Sequence, residues 1–102
     1  MTKAKKWKYE FIFILPSDLE KQEQALLLKQ AGEVIAKAGG EVIKQVDWGL
    51  KPFSYSIKDQ LGGRYFIWEV YFAKTPILKE INLFFNRENK ILRYLWKGEK
   101  NG

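Results

Sequence analysis

At 102 residues, with 46% apolar and 29% charged side chains, the chain has the size and composition of one ordinary globular domain rather than of a disordered segment. It contains neither Cys nor His, which removes disulfides, thiolate ligands, thiol nucleophiles, the commonest general base and the usual zinc ligand. The net charge of +6 points to a polyanionic partner, with a Lys-rich surface that merely keeps the chain in solution as the equal alternative.

Trp7 to Leu15 is a continuous aromatic and β-branched run in which Tyr9, Phe11, Phe13 and Leu15 share one face, so it reads as a central first strand. Pro16 should end it, and Ser17-Asp18-Leu19-Glu20 has the form of a capping box that starts a helix there. Leu27, Ala31, Val34, Ile35 and Ala38 recur at three- and four-residue spacing, which carries the helix to about Lys37 or Ala38, before Gly39-Gly40. Val42 to Val46 returns to strand-forming residues, Trp48-Gly49 interrupts them, and Phe53 to Ile57 alternates again. That pattern predicts one long bent strand, or a strand with a bulge near the glycine.

Lys58 to Gly63 reads as a turn, and Arg64 to Phe72 as a second dense aromatic strand, with Phe66, Trp68, Val70 and Phe72 alternating against Glu69. Thr75-Pro76 predicts a helix cap followed by proline at the first helical position, and Ile77, Ile81, Phe84 and Phe85 keep helical spacing. Ile91 to Trp96 is the last expected strand, followed by a polar tail from Lys97. The order βαββαβ predicts an α+β, ferredoxin-like domain, a four-stranded antiparallel sheet with both helices on one face and the other face open. One domain should cover 1–102, with residues 1–6 as a basic arm and 98–102 as a flexible tail.

No apolar run approaches the roughly 18 to 20 residues that span a bilayer, and the N-terminus lacks a signal-peptide core, so the chain is read as soluble and not secreted. The carboxylates at Glu20, Glu23, Glu33, Asp47, Asp59 and Glu80 are scattered and form no paired site. Gly62-Gly63-Arg64 opens no helix and reads as a turn rather than a phosphate-cradling loop. No catalytic residue, metal site or cofactor is expected, and no small-molecule substrate.

Several pieces together resemble the bacterial-type small-subunit ribosomal protein S-six family. They are Tyr9-Glu10, Gly39-Gly40, Asp47-Trp48-Gly49 followed by Phe53-Ser54-Tyr55-Ser56-Ile57, Gly63 before the aromatic strand, and Ile91-Leu92-Arg93. The likeness covers roughly residues 7 to 97, and its specificity lies in the order and spacing of pieces that are weak singly. Ser54 stands where the family usually has Ala and Ser56 where it has Pro, and the Lys-rich start before Trp7 is longer than is common. The resemblance implies a structural constituent of the small ribosomal subunit, not an enzyme. Its implied partners are the central domain of 16S-type rRNA and ribosomal protein S-eighteen, in platform assembly and translation. It places the chain in the bacterial cytoplasm, with an organellar ribosome as the alternative.

Carried over residue by residue, the resemblance assigns RNA contacts to Lys8 and Tyr9 and to Arg87, Arg93 and Lys97. Lys6, Lys51, Arg64 and Lys90 complete the candidate RNA-binding set on charge. Trp48 and Tyr55 are read as packing residues around the bulge, ahead of base stacking. Two other readings stand beside this one. A non-ribosomal module could stack single-stranded RNA on Arg64-Tyr65-Phe66-Ile67-Trp68, and an acylphosphatase-like enzyme could use Arg64 on a phosphate.

Overall fold

The computed structural model describes residues 7–74, 76 and 78–100. The two aromatic runs pair along their whole length because each has an apolar face to bury. β1 (Trp7–Pro16) lies antiparallel to β3 (Gln60–Phe72), with Phe11 opposite Trp68 and Phe13 opposite Phe66. β4 (Arg93–Lys100) flanks β1 on its other side, and β2 (Gly40–Ile57) flanks β3, giving the order β2-β3-β1-β4 with every pair antiparallel. α1 (Lys21–Lys37) and α2 (Lys79–Arg87) connect them, and this is the predicted ferredoxin-like architecture.

Both helices pack on one sheet face. Leu27, Ala31 and Ile35 of α1 and Ile81 and Phe85 of α2 join Phe11, Phe13, Leu15, Phe66, Trp68, Val70 and Phe72 in a single core. Phe13 sits edge-to-face on Trp68 at 5.2 Å between ring centroids and stacks on Phe66 at 5.5 Å. These geometries add to the burial of large apolar area. No polar or charged side chain is buried among the described residues, so the core needs no internal hydrogen-bond network.

The helix starts differ from the sequence reading. Pro16 is still in β1, opposite Gly63, so the chain must turn at Ser17-Asp18 before a helix can begin. α1 therefore starts at Lys21, its N-cap is Glu20 in extended backbone, and no side chain caps it; the Ser17 capping box does not form. α2 likewise starts at Lys79 with Leu78 as N-cap, and Pro76 lies ahead of the helix rather than in its first turn. Burial of Ile81 and Phe85 sets its position. The Thr75 cap and Ile77 lie outside the described residues.

The hairpin and the last strand also run longer than expected. Only Lys58 and Asp59 turn, both at positive φ (49° and 65°), the backbone of a two-residue type I′ hairpin, and Gly62 and Gly63 are paired strand residues. Gly63 is there because the sheet is tight: a Cβ at this position would stand 2.7 Å from both Ile14 Cγ2 and the Leu15 carbonyl oxygen. Gly63→Ala is expected to cost about 1–3 kcal/mol in urea unfolding, since the carbonyl cannot move aside. An unchanged midpoint would refute that packing. Lys97 to Lys100, read as the start of a tail, instead extend β4 opposite Glu10 to Trp7. Ile91 and Leu92 are buried just before β4, where the Leu92 N–H donates to the Ile14 carbonyl at 2.8 Å.

Candidate nucleic-acid interface

The sequence places a bulge in β2, and the pairing shows two of one residue each, at Ile43 and Trp48. Each bulge exchanges the sheet faces of the residues that follow, because side chains alternate with a period of two. Asp47 holds the second bulge. Its Oδ1 accepts the Gly49 N–H at 2.8 Å, its carboxylate receives the Arg64 guanidinium at 2.9 and 3.2 Å, and Gly49 takes φ +85°. The Asp47-Trp48-Gly49 motif is thus a device that turns Trp48 outward. Trp48 and Tyr55 are 56% and 62% exposed, which corrects the reading of them as packing residues. Trp48 lies beneath the Lys51 ammonium at 5.6 Å, and Tyr55 beneath the Arg93 guanidinium at 6.0 Å.

The face away from the helices is organised in transverse rows by the register. Val46, Ile67, Ile12 and Leu95 are direct partners across all four strands and make an apolar row. Beside it run Lys44, Glu69, Glu10 and Lys97, and then Glu41, Tyr71 and Lys8. On its other side are Gly49, Tyr65, Ile14 and Arg93. The face therefore joins an apolar band to a band of mixed charge in which cations stand at both sheet edges.

The candidate residues divide between this face and others. Lys8, Lys51, Arg93 and Lys97 share the open face, although Lys8 is 3.8 Å from Glu69 across the strand. Tyr9 points the opposite way. Its ring packs edge-to-face on Phe72 and Trp96, at 5.7 and 5.6 Å, so its place is in the core layer. Arg64 is also on the helix side, engaged by Asp47. Arg87 ends α2 and lies with Lys37 at a groove between the helices, and Lys90 pairs with Glu23 of α1 at 3.2 Å. Lys6 lies outside the described residues.

Two cations outside the sequence-derived set matter here. Lys44 reaches the open face only because the Ile43 bulge shifts the register, a signal invisible without the partner strand. Lys58 leaves the hairpin turn to donate to the Ile91 carbonyl at 3.2 Å.

The other two readings lose their geometry. Of the aromatics in the stacking segment only Tyr65 is on the open face, since Phe66 and Trp68 are buried beneath the helices, and the Arg64 guanidinium is held by a carboxylate. No group of three or more residues able to hold a metal ion occurs among the described residues, and no helix among them is long and apolar enough to cross a membrane.

The fold is that of a ferredoxin-like domain, with its helices on one side of the sheet and an apolar and cationic band on the other, an architecture that hosts many functions. The model of the family described as Ribosomal protein S6 matches residues 8–96, and the chain belongs to this family of small-subunit ribosomal proteins, which is not a family of enzymes. A small ribosomal subunit protein bS6 from Syntrophomonas wolfei is 33% identical over 89 residues, covering 85% of this chain and 90% of the relative. Another from Christiangramia forsetii is 31% identical over 87 residues, covering 85% and 77%. In fold, the chain matches the crystal structure of 30S ribosomal protein S6 from Thermotoga maritima with a TM-score of 0.84. That match covers 92% of this chain and 88% of the other, at 22% identity.

Proposed function

We propose that this protein is a structural, non-catalytic constituent of the small ribosomal subunit in the bacterial cytoplasm. In this reading it binds the central domain of 16S-type rRNA together with ribosomal protein S-eighteen and supports platform assembly. The observation that carries this reading is the family match over residues 8–96, nearly the whole domain. Charge and geometry support it. Lys8, Lys51, Arg93 and Lys97 present cations on one face, and cations that neutralise phosphates release counterions and give affinity that falls with salt. Rigid strands fix where those charges stand, which suits a folded RNA read by shape. Arg64, Lys90 and Tyr9 contribute less directly, since Arg64 and Lys90 already face carboxylates and the Tyr9 ring is packed, while Arg87 and Lys6 stay in the RNA-binding set on charge.

The apolar row supports a protein partner. Leu95 is 59% exposed at the β4 end of Val46, Ile67 and Ile12, and apolar area of this kind is covered in an assembly. Leu95→Glu is expected to leave the thermal midpoint nearly unchanged and to weaken pairing with S-eighteen at least about tenfold, which calorimetry can measure. Full-strength pairing of that variant would remove the row from the interface.

The reading as a whole is tested by titrating binding to a central-domain rRNA fragment against salt, with and without the S-eighteen partner. Affinity should fall steeply with salt and rise when the partner is present. Binding that is absent or indifferent to salt in both conditions would count against it.

A further inference from the structure

One recess of the molecule draws four of its seven lining residues, Lys58, Asn86, Arg93 and Tyr94, from side chains that carry hydrogen-bond donors, beside the apolar Phe85, Ile91 and Leu92. It has a volume of about 250 Å³ and lies where the hairpin turn meets the start of β4. The construction is long-range. The Lys58-Asp59 turn curls the β2–β3 hairpin back so that the Lys58 ammonium reaches the Ile91 carbonyl, 33 residues away. That bond uses one of three ammonium donors and anchors the group at the recess wall. Arg93, an open-face residue at the start of β4, borders the recess, and its guanidinium is laid over the neighbouring Tyr55 ring. Tyr94 Oη donates to Asn86 Oδ1 at 2.9 Å, which orients the amide and leaves its N–H groups for a ligand.

No carboxylate lines this recess, and neither Lys58 nor Arg93 forms an ion pair among the described residues. The C-terminal turn of α2 contributes Phe85 and Asn86 to the wall, and a helix C-terminus is worth about half a negative charge. Two whole cations exceed it, so the recess stays positive and its polar groups point to an anion with several acceptor oxygens.

We propose that this recess is a phosphate-binding site that takes one backbone phosphate of the RNA, with Lys58 and Arg93 as its cationic walls and the Asn86 amide as a third donor. The proposal rests on the RNA-binding reading above and adds to it a specific pocket and two residues, Lys58 and Asn86. Because the Lys58 anchor also ties the hairpin to the Ile91 segment, phosphate binding and hairpin position are joined at one ammonium.

The test uses the full chain and three variants: Lys58→Gln with Arg93→Gln, and the charge-keeping Lys58→Arg and Arg93→Lys. Circular dichroism checks that each is folded. Inorganic phosphate is titrated while backbone amides are followed by NMR, and binding to a central-domain rRNA fragment is measured across salt.

Selective phosphate shifts are expected at Lys58, Asn86, Ile91 and Arg93, absent in the double Gln variant and kept in the charge-keeping ones. The double Gln variant should bind the RNA about tenfold more weakly at low salt, with a log–log salt slope shallower by about 0.7–0.9 for each phosphate no longer neutralised. Wild-type RNA affinity and slope in the double Gln variant would overturn the proposal, as would phosphate shifts spread evenly over all lysines. Loss of S-eighteen binding with RNA binding intact would assign the recess to an acidic group of the protein partner and overturn it too. Should the wild type show the selective phosphate shifts but no RNA binding, the ribosomal reading would fail and the RNA assignment with it, while the anion site itself would stand.

Discussion

Trp68→Ala is expected to lower stability by about 3–5 kcal/mol, the largest effect of any single substitution proposed for this molecule. Trp68 is 1% exposed, lies opposite Phe11 on the central strand pair, and meets Phe13 edge-to-face, so its removal leaves a large cavity beneath both helices. Domains of this size are stable by about 5–15 kcal/mol, and each kcal/mol is worth roughly 4–8 °C in Tm. Thermal unfolding should therefore fall by about 12 °C or more. Trp48→Ala provides the contrast. Its side chain is 56% exposed on the bulge, and its loss should change stability by no more than about 0.5 kcal/mol. Equal effects of the two substitutions would mean that the inner and outer tryptophans have been assigned to the wrong sides of the sheet.

The second large effect is on affinity. Replacing Lys8, Lys51, Arg93 and Lys97 together by Gln should leave the fold intact, because all four stand outside the core. If each neutralises one phosphate, the salt dependence of rRNA-fragment binding should become shallower by about three units of log–log slope, and binding at low salt should drop by about two orders of magnitude. The same four substitutions on the opposite side, at Lys21, Lys29, Lys37 and Lys79 of the helices, remove equal charge from exposed positions. If both sets weaken binding alike, net charge rather than the open face is responsible.

What is legible in the sequence follows from which signals are local. The β1 and β3 alternations and the Leu27, Ala31, Ile35 stripe can be read directly, since each element buries one face and the period reports it. The cap expected at Ser17 is displaced because β1 stays paired through Pro16, a fact that depends on Gly63 some fifty residues on. β4 looks like a tail beyond Trp96 because Lys97-Gly98-Glu99-Lys100 carries no apolar pattern. Its strand character comes from the Trp7–Glu10 backbone beside it.

The candidate site is less legible than the fold. Which face a cation occupies in β2 depends on two bulges, and a slip of one residue reverses it, so Lys44 cannot be placed from sequence. The resemblance makes Tyr9 an RNA contact, but alternation with Phe11 and Phe13 puts its ring in the core layer, and that periodicity is present in the sequence. Lys58 reads as an ordinary turn residue. Only the curl of the hairpin brings it beside Arg93.

The central claim is that this chain is a constituent of the small ribosomal subunit, and quantitative mass spectrometry of subunits purified from the native source tests it most directly. Close to one copy per small subunit, retained through a moderate salt wash and absent from purified large subunits, is the predicted result. Small subunits that are complete in other proteins but lack this chain would contradict the claim.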